Sequence, residues 1–222
     1  METSAILSLL PAPIIAFALF LLLRFKYPDS TFHLVYKTFT WGMMGVLPVY
    51  AVDKLISYLH LDHLHSLNRT LFYAFVLTAG VFEIWKFLVI RIFVYPSKHV
   101  KKSVDVIVYS IFIAAGFTTA YSVYALFYAP PYISDSLYAL TIGPVFVSIA
   151  VIMGYFAGVA LNRKFPVAEF ITGLFIATLF QGIYRFCLLT TDTLLLYLAA
   201  GGMILTAVSL VSISLRETRE SD

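Results

Sequence analysis

Two charged side chains, Glu83 and Lys86, stand inside a long apolar stretch of the sequence. Residues three apart on a helix share one face, so the carboxylate and the ammonium group can neutralise each other. The spacing leaves two interpretations open. The two residues form a structural ion pair that lets the helix pack, or Glu83 acts as a general base or proton carrier in apolar surroundings.

Three more polar residues inside apolar stretches are candidates. Gln181 and Arg185 lie four residues apart and therefore also share a helical face. The long side chain of Arg185 can reach toward Glu83 or extend to lipid headgroups. Lys54 is the remaining charge away from the ends of its stretch. A charge at the centre of a membrane helix costs about 2.5–3.5 kcal/mol, so each is expected to pair, face the protein interior or line a wet cavity.

The composition says which solvent surrounds these residues. Of the 222 residues, 61% are hydrophobic and 12% are charged, whereas soluble proteins have about 45–50% and about 25%. At about 20 residues per span, the chain has room for seven or eight membrane helices and for no soluble catalytic domain. The single cysteine, Cys187, excludes both an internal disulfide framework and a cysteine metal site.

Seven apolar stretches are long enough to cross a hydrocarbon core of about 30 Å. The first is expected to be a retained helix and not a signal peptide, because Arg24 and Lys26 follow it. The second is interrupted by Asp53, and Pro48 is expected to kink it. The sequence therefore predicts an all-α, polytopic membrane protein that forms one domain over residues 1–222. The predicted spans are 5–23, 39–59, 70–94, 103–128, 137–161, 167–189 and 193–215.

The positions of the basic residues predict the orientation. Arg69 is the one basic residue in a loop on the side that includes the N-terminus, and ten basic residues follow the odd-numbered spans. Basic loops stay in the cytoplasm, so the N-terminus is predicted outside and the C-terminus inside. The net charge of +3 is therefore explained by residues at helix ends that set the orientation, and the predicted partner is a lipid bilayer and no nucleic acid. The ten residues are Arg24, Lys26, Lys37, Lys98, Lys101, Lys102, Arg163, Lys164, Arg216 and Arg219.

Four helices carry segments that follow one another in a recognisable order. The segment Gly80-Val-Phe-Glu-Ile-Trp-Lys86 is followed by Ser103-Val-Asp-Val-Ile-Val-Tyr109 and by Gly116-Phe-Thr-Thr-Ala-Tyr-Ser122. The fifth helix contains Phe146 and, further along, Met153-Gly-Tyr-Phe-Ala-Gly158. The sixth contains Phe180-Gln-Gly-Ile-Tyr-Arg-Phe186. Together these segments resemble the motifs of the PrsW family of intramembrane proteases, which are distant relatives of the CAAX prenyl endopeptidases.

The resemblance implies a PrsW-like helical bundle with a site that activates water for peptide hydrolysis. In the family, the first motif is a glutamate pair followed by two residues and a lysine, and later motifs supply a further glutamate and two histidines. Glu83 and Lys86 match the first motif and would be the catalytic residues of an active member. The other positions depart from the family, since they hold Phe82, Tyr121, Phe146 and Gln181, and Arg185 replaces an Asn or Asp.

One carboxylate without these partners lacks a second acid or base and an imidazole ligand set. The sequence therefore predicts a catalytically degenerate PrsW-like protein without a metal or other cofactor, in a prokaryotic cytoplasmic membrane. It is expected to bind a single-span membrane protein or a small amphipathic ligand in an outward-facing cavity. The predicted cavity-lining residues are Phe82, Tyr121, Phe146, Gln181 and Arg185.

Two alternatives stay open. In the first, Glu83 activates water alone or with help from Gln181, and the chain is an active glutamate-dependent intramembrane protease. In the second, Glu83, Lys86 and Arg185 line a transport or proton-coupled route, although no matching pair of broken helices supports it.

Two smaller patterns complete the predictions. The loop residues His60, His63 and His65 are polar filler or a metal site, and no nearby cysteine or glutamate joins them. Gly154 and Gly158 form a small-xxx-small step that predicts close helix packing.

Overall fold

The computed structural model describes residues 32–59, 61, 66–128, 136–190 and 192–220, together with residues 14 and 18. Helices make up nearly all of this described part, in which no β-strand occurs. The all-α prediction is confirmed. Apart from those two residues, the predicted first span, 5–23, lies outside the described residues.

The described chain forms helices joined by short connections. Five of them, α3 to α7, are long and apolar enough to cross a membrane, and they correspond to the last five predicted spans. Helix α3 is continuous but changes its winding, with π-helical segments at Tyr73–Gly80 and Ile90–Val94 on either side of the α-helical stretch Val81–Val89. The helices are α1 (Phe32–Met44), α2 (Val46–Tyr58), α3 (Leu67–Val94), α4 (Ser103–Tyr128), α5 (Ser136–Val159), α6 (Val167–Thr190) and α7 (Thr193–Glu220).

The predicted second span, 39–59, has different bounds in the structure. The helical segment begins at Phe32 and is divided at Gly45, where a side chain would overlap the rings of Trp85 and Phe117. The chain therefore breaks where helices pack closely and not at Pro48, which lies within α2. The count of seven spans and the orientation of the termini stay predictions.

Together, α1 and α2 cover the same length of the bundle as one of the longer helices. Lys37, which was predicted to lie in a loop, belongs to α1 and borders a groove with Ser97, which follows α3. At the other end, Asp53 of α2 meets Tyr124 near the end of α4. The α1–α2 segment therefore extends from one end of the bundle to the other.

Helix α4 lies at the centre of the bundle. In its most apolar window 78% of the residues are buried, and it packs chiefly against α1 and α5. Glycines allow these close approaches. A side chain at Gly42 or Gly116 would overlap the backbone of the facing helix. One at Gly154 or Gly158 would lie 2.7–2.9 Å from atoms of α4. The predicted packing role of Gly154 and Gly158 is confirmed.

Helix α7 lies at the periphery. Only 22% of its apolar window is buried, although it has the highest mean hydropathy of the five candidate spans. Three of its hydroxyl groups donate hydrogen bonds to carbonyl oxygens of the same helix, four residues earlier. These hydroxyls are thus satisfied without a neighbouring helix. They belong to Thr206, Ser209 and Ser212.

The connections of the bundle place the basic residues together. The Tyr95 hydroxyl group, just after α3, donates to the Ala160 carbonyl, just after α5, at 3.5 Å. The α3–α4 and α5–α6 connections therefore lie at the same end, which we call the basic end because it carries Lys98, Lys101, Lys102, Arg163 and Lys164.

The close contact between α1 and α4 predicts a strong effect of one methyl group. Gly42→Ala places a Cβ against the Ile113 carbonyl and should lower the free energy of unfolding by about 1–3 kcal/mol. Gly202→Ala is the matched control, because a Cβ there meets no described atom within 4 Å. Thermal unfolding in detergent measures both. Equal effects of the two changes would contradict the close packing.

The orientation is tested by labelling single cysteines in a Cys187→Ala background. Asp62→Cys and Asp135→Cys should react with an impermeant thiol reagent added outside, whereas His99→Cys and Asn162→Cys, at the basic end, should react only after permeabilisation. Labelling of His99→Cys from outside in intact cells would reverse the predicted orientation.

Candidate functional site

Glu83 and Lys86 form a buried ion pair in α3. Lys86 Nζ contacts Glu83 Oε1, and the two residues are 1% and 0% exposed. Among the described residues, neither charged group has a hydrogen-bonding partner beyond this pair. Each charge is therefore balanced chiefly by the other.

Two aromatic rings lie near the ammonium group of this ion pair. Lys86 Nζ lies 5.2 Å from the ring centroid of Phe146 and 5.8 Å from that of Phe117. A cation at this distance is attracted to the negative face of a ring, so the rings replace part of the hydration that Lys86 has lost. The rings come from α4 and α5, which hold the α3 lysine between them.

Three of the positions where the sequence departs from the PrsW motifs, Phe82, Tyr121 and Phe146, meet in this aromatic shell. Phe82, Phe117, Tyr121, Phe146 and Tyr184 contact one another with centroid separations between 5.0 and 6.4 Å, and each is at most 2% exposed. We call these five residues the aromatic cluster. Their rings fill the space that four helices leave between them. Phe117 and Tyr184 were not predicted as site residues, although each belongs to a motif segment that also contains a predicted site residue.

Helix α6 reaches the site through a glycine. A side chain at Gly182 would overlap the ring of Phe75 in the π-helical part of α3, so this contact requires a glycine. The neighbouring Gln181 and Arg185 are consequently buried, at 1% and 5% exposure. The prediction that both residues face the protein interior agrees with these exposures.

Arg185 belongs to a second polar group at the end opposite the basic end. Arg185 lies within electrostatic range of the carboxylate of Asp53 and of the hydroxyl group of Tyr184. Tyr124 donates a hydrogen bond of 2.8 Å to Asp53 Oδ2, and Tyr184 shares one of 2.9 Å with Thr141. We call these five residues the outer polar cluster, because the predicted orientation places this end outside.

The outer polar cluster changes two expectations. Arg185 is too deeply buried to extend to the headgroups, and the carboxylate of Asp53 lies within its electrostatic range. Asp53 was predicted only to interrupt the second span, although a carboxylate in an apolar stretch is a candidate functional residue, as Glu83 is. Lys54 beside it is exposed and lies 5.5 Å from the ring of Tyr50.

The described residues offer no cluster that could hold a metal ion. Within that part of the chain, no three His, Cys, Asp or Glu side chains come together. Glu83 is the one carboxylate in the aromatic cluster's interior, and its counter-ion is Lys86. The residues His60, His63 and His65 lie outside the described part, so their metal site stays an untested alternative.

The buried ion pair predicts a strongly non-additive pattern of stability. Lys86→Met strands a carboxylate in the interior and should cost about 3–5 kcal/mol, whereas the double change with Glu83→Gln should cost less than Lys86→Met alone. The measurement is thermal unfolding of the four proteins in detergent.

The matched control is the ion pair between Arg163 and Glu169 at the basic end, in which Arg163 Nε lies 3.0 Å from Glu169 Oε1 and the arginine side chain is 61% exposed. The same cycle there, with Arg163→Met and Glu169→Gln, should give a coupling below about 1 kcal/mol. Additive effects at Glu83 and Lys86 would mean that water reaches the two charges separately.

Comparison with known proteins agrees with the arrangement of these motifs. Residues 30–213 match the family described as PrsW family intramembrane metalloprotease. The chain is also similar to the protein named Protease PrsW of Bacillus subtilis (strain 168), with 25% identity over 198 residues that cover 87% of each chain. No solved structure matches it significantly. With most of its length covered by the family match, the chain belongs to the PrsW family, and it is an integral membrane protein.

Proposed function

We propose that this PrsW-family protein does not hydrolyse peptide bonds and acts by binding a partner within the membrane. One observation carries the proposal: the single carboxylate at the matched site, Glu83, is fully buried with its own counter-ion, Lys86, which two rings of the aromatic cluster face. A hydrolytic site needs a carboxylate that water can reach.

The metal that the family description implies does not fit the residues present. Zinc sites in proteins take nitrogen, sulfur and carboxylate ligands, usually three or four of them. The positions that match the family's polar residues hold Phe82, Tyr121 and Phe146, whose rings pack against one another. Glu83 alone remains as a ligand, and an ammonium group already contacts it. No step that uses a metal is therefore assigned to this site.

Hydrolysis without a metal meets the same difficulty. The reaction needs a group that deprotonates water and a group that protonates the leaving amine. Glu83 would have to serve for both while it also neutralises Lys86. Gln181 stands at one of the positions where the family has a histidine, but its amide group does not act as an acid or base near neutral pH. These facts support the loss of catalysis.

The binding role is supported by the position of the outer polar cluster. Asp53 is half-buried, so a partner that approaches from the outer end can reach this cluster. Arg185 now supplies a positive charge at a position where the family motif has Asn or Asp. We propose that a single-span membrane protein or a small amphipathic ligand binds here, with an anionic or hydrogen-bonding group directed at the cluster.

Catalysis is tested with purified protein and a panel of single-span membrane substrates. We expect no peptide-bond cleavage by the native chain and no difference between it and Glu83→Gln, because the carboxylate is neither hydrated nor free of its counter-ion. The Bacillus subtilis Protease PrsW, assayed on the same panel, serves as the comparison. Cleavage products are measured by mass spectrometry.

The opposite result would be equally clear. Cleavage by the native chain that Glu83→Gln abolishes would establish a glutamate-dependent protease and overturn the proposal. Lys86→Gln is the informative second variant, since release of Glu83 from its counter-ion should still produce no cleavage if hydrolytic partners are missing.

A further inference from the structure

A groove of ≈ 280 Å³ lies between the beginning of α1 and the end of α3, away from both the aromatic cluster and the outer polar cluster. Its polar lining consists of His33, Lys37, Ser97 and His99. The groove opens at the basic end, where the interior meets the headgroup region in the predicted topology. None of these residues belongs to the segments that resemble the family motifs, and the proposed function assigns them no role.

The polar lining is suited to an anion. Lys37 supplies a full positive charge, two imidazoles can donate hydrogen bonds, and the described residues that line the groove include no Asp or Glu. The nearby carboxylate of Asp105 is already engaged, because Asp105 Oδ2 accepts from the backbone N–H groups of Lys101 and Lys102 at 2.9 Å. Among the described residues that line the groove, the formal charge is therefore positive.

The rest of the groove is apolar and continues along the helices. Leu34, Ile92 and Phe93 line it beside the polar residues. Lys37 Nζ lies 4.4 Å from the ring centroid of Phe93, and the ring of Trp41 stacks on Phe93 at 4.8 Å. A polar end is thus joined to an aromatic surface that extends toward the middle of the bundle.

The same order appears along one face of α1. His33, Lys37 and Trp41 follow one another at intervals of four residues, which places them in a row on the helix. The row begins with the polar residues at the basic end and reaches an aromatic ring one turn beyond Lys37. A bilayer presents its own molecules in this order, with a charged headgroup followed by an acyl chain.

We propose that the groove binds an anionic phospholipid, with the phosphate at Lys37, His33 and His99 and one acyl chain along Phe93 and Trp41. A free phosphate ion would use the polar lining but gain nothing from the apolar one. The groove is also open sideways to lipid, since Ile92 is 56% exposed and Trp41 is 38% exposed. The proposal does not depend on whether Glu83 is catalytic.

The protein carries its own reporter for this site. Its two tryptophans are Trp41 and Trp85, which lie 6.4 Å apart at the end of the groove, and Trp85 Nε1 donates to the Trp41 carbonyl. Lipids with brominated acyl chains quench tryptophan fluorescence on contact. The experiment compares vesicles of brominated phosphatidylglycerol in phosphatidylcholine with vesicles of brominated phosphatidylcholine in phosphatidylglycerol, at equal mole fractions.

We expect phosphatidylglycerol to be favoured over phosphatidylcholine by about fivefold at the tryptophans, the effect of one basic residue near an anionic headgroup. Lys37→Gln should reduce the preference to near one, and Lys37→Arg should retain it. Lys164→Gln is the matched control, because this exposed lysine is also at the basic end and lies 5.8 Å from the ring of Phe165. It should keep the fivefold preference.

Three results would overturn the proposal. One is a native protein with no preference between the two lipids. Another is an equal loss in Lys37→Gln and Lys164→Gln, which would indicate general attraction to the surface. The third is loss of the preference in excess inorganic phosphate, which would indicate a site for a soluble anion. Circular dichroism of each variant confirms that it is folded before its fluorescence is compared.

Discussion

The enclosure of two opposite charges in an apolar interior constrains the rest of the bundle. Neither Glu83 nor Lys86 can gain hydration where they lie, so each depends on the other and on the rings around the ammonium group. Those rings are supplied by different helices. A shift of α4 or α5 would remove a ring from the cation and open a space beside a buried charge. The ion pair therefore sets where its neighbouring helices must stand.

The sequence predicts the parts of the fold that depend on local patterns. Helices α3 to α7 follow from long apolar runs, and the approach of α5 to α4 follows from Gly154 and Gly158. The beginning of α1 does not, because His33 and Lys37 look like loop residues when hydropathy alone is considered. In the structure they belong to α1, and their side chains border a groove against α3. The break at Gly45 depends likewise on a neighbouring helix.

In the candidate site, too, some contacts follow from a sequence pattern and others do not. The sequence predicted that Phe82, Tyr121 and Phe146 line one outward-facing cavity, and in the structure their rings contact one another. The contact between Asp53 and Tyr124 joins residues 71 positions apart and has no local sequence pattern. Such pairs form only when the helices are assembled, so hydropathy and spacing could mark Asp53 as unusual but could not identify its partner.

The hydroxyl groups of α7 have a consequence for how the protein is made. Because Thr206, Ser209 and Ser212 bond within their own helix, these three hydroxyl groups are already satisfied when α7 reaches the translocation machinery. It can settle in lipid as soon as it leaves the ribosome. Helix α6 differs, since Arg185 needs partners from other helices. Helix α7 can therefore enter the lipid beside an incomplete bundle and pack against it afterwards.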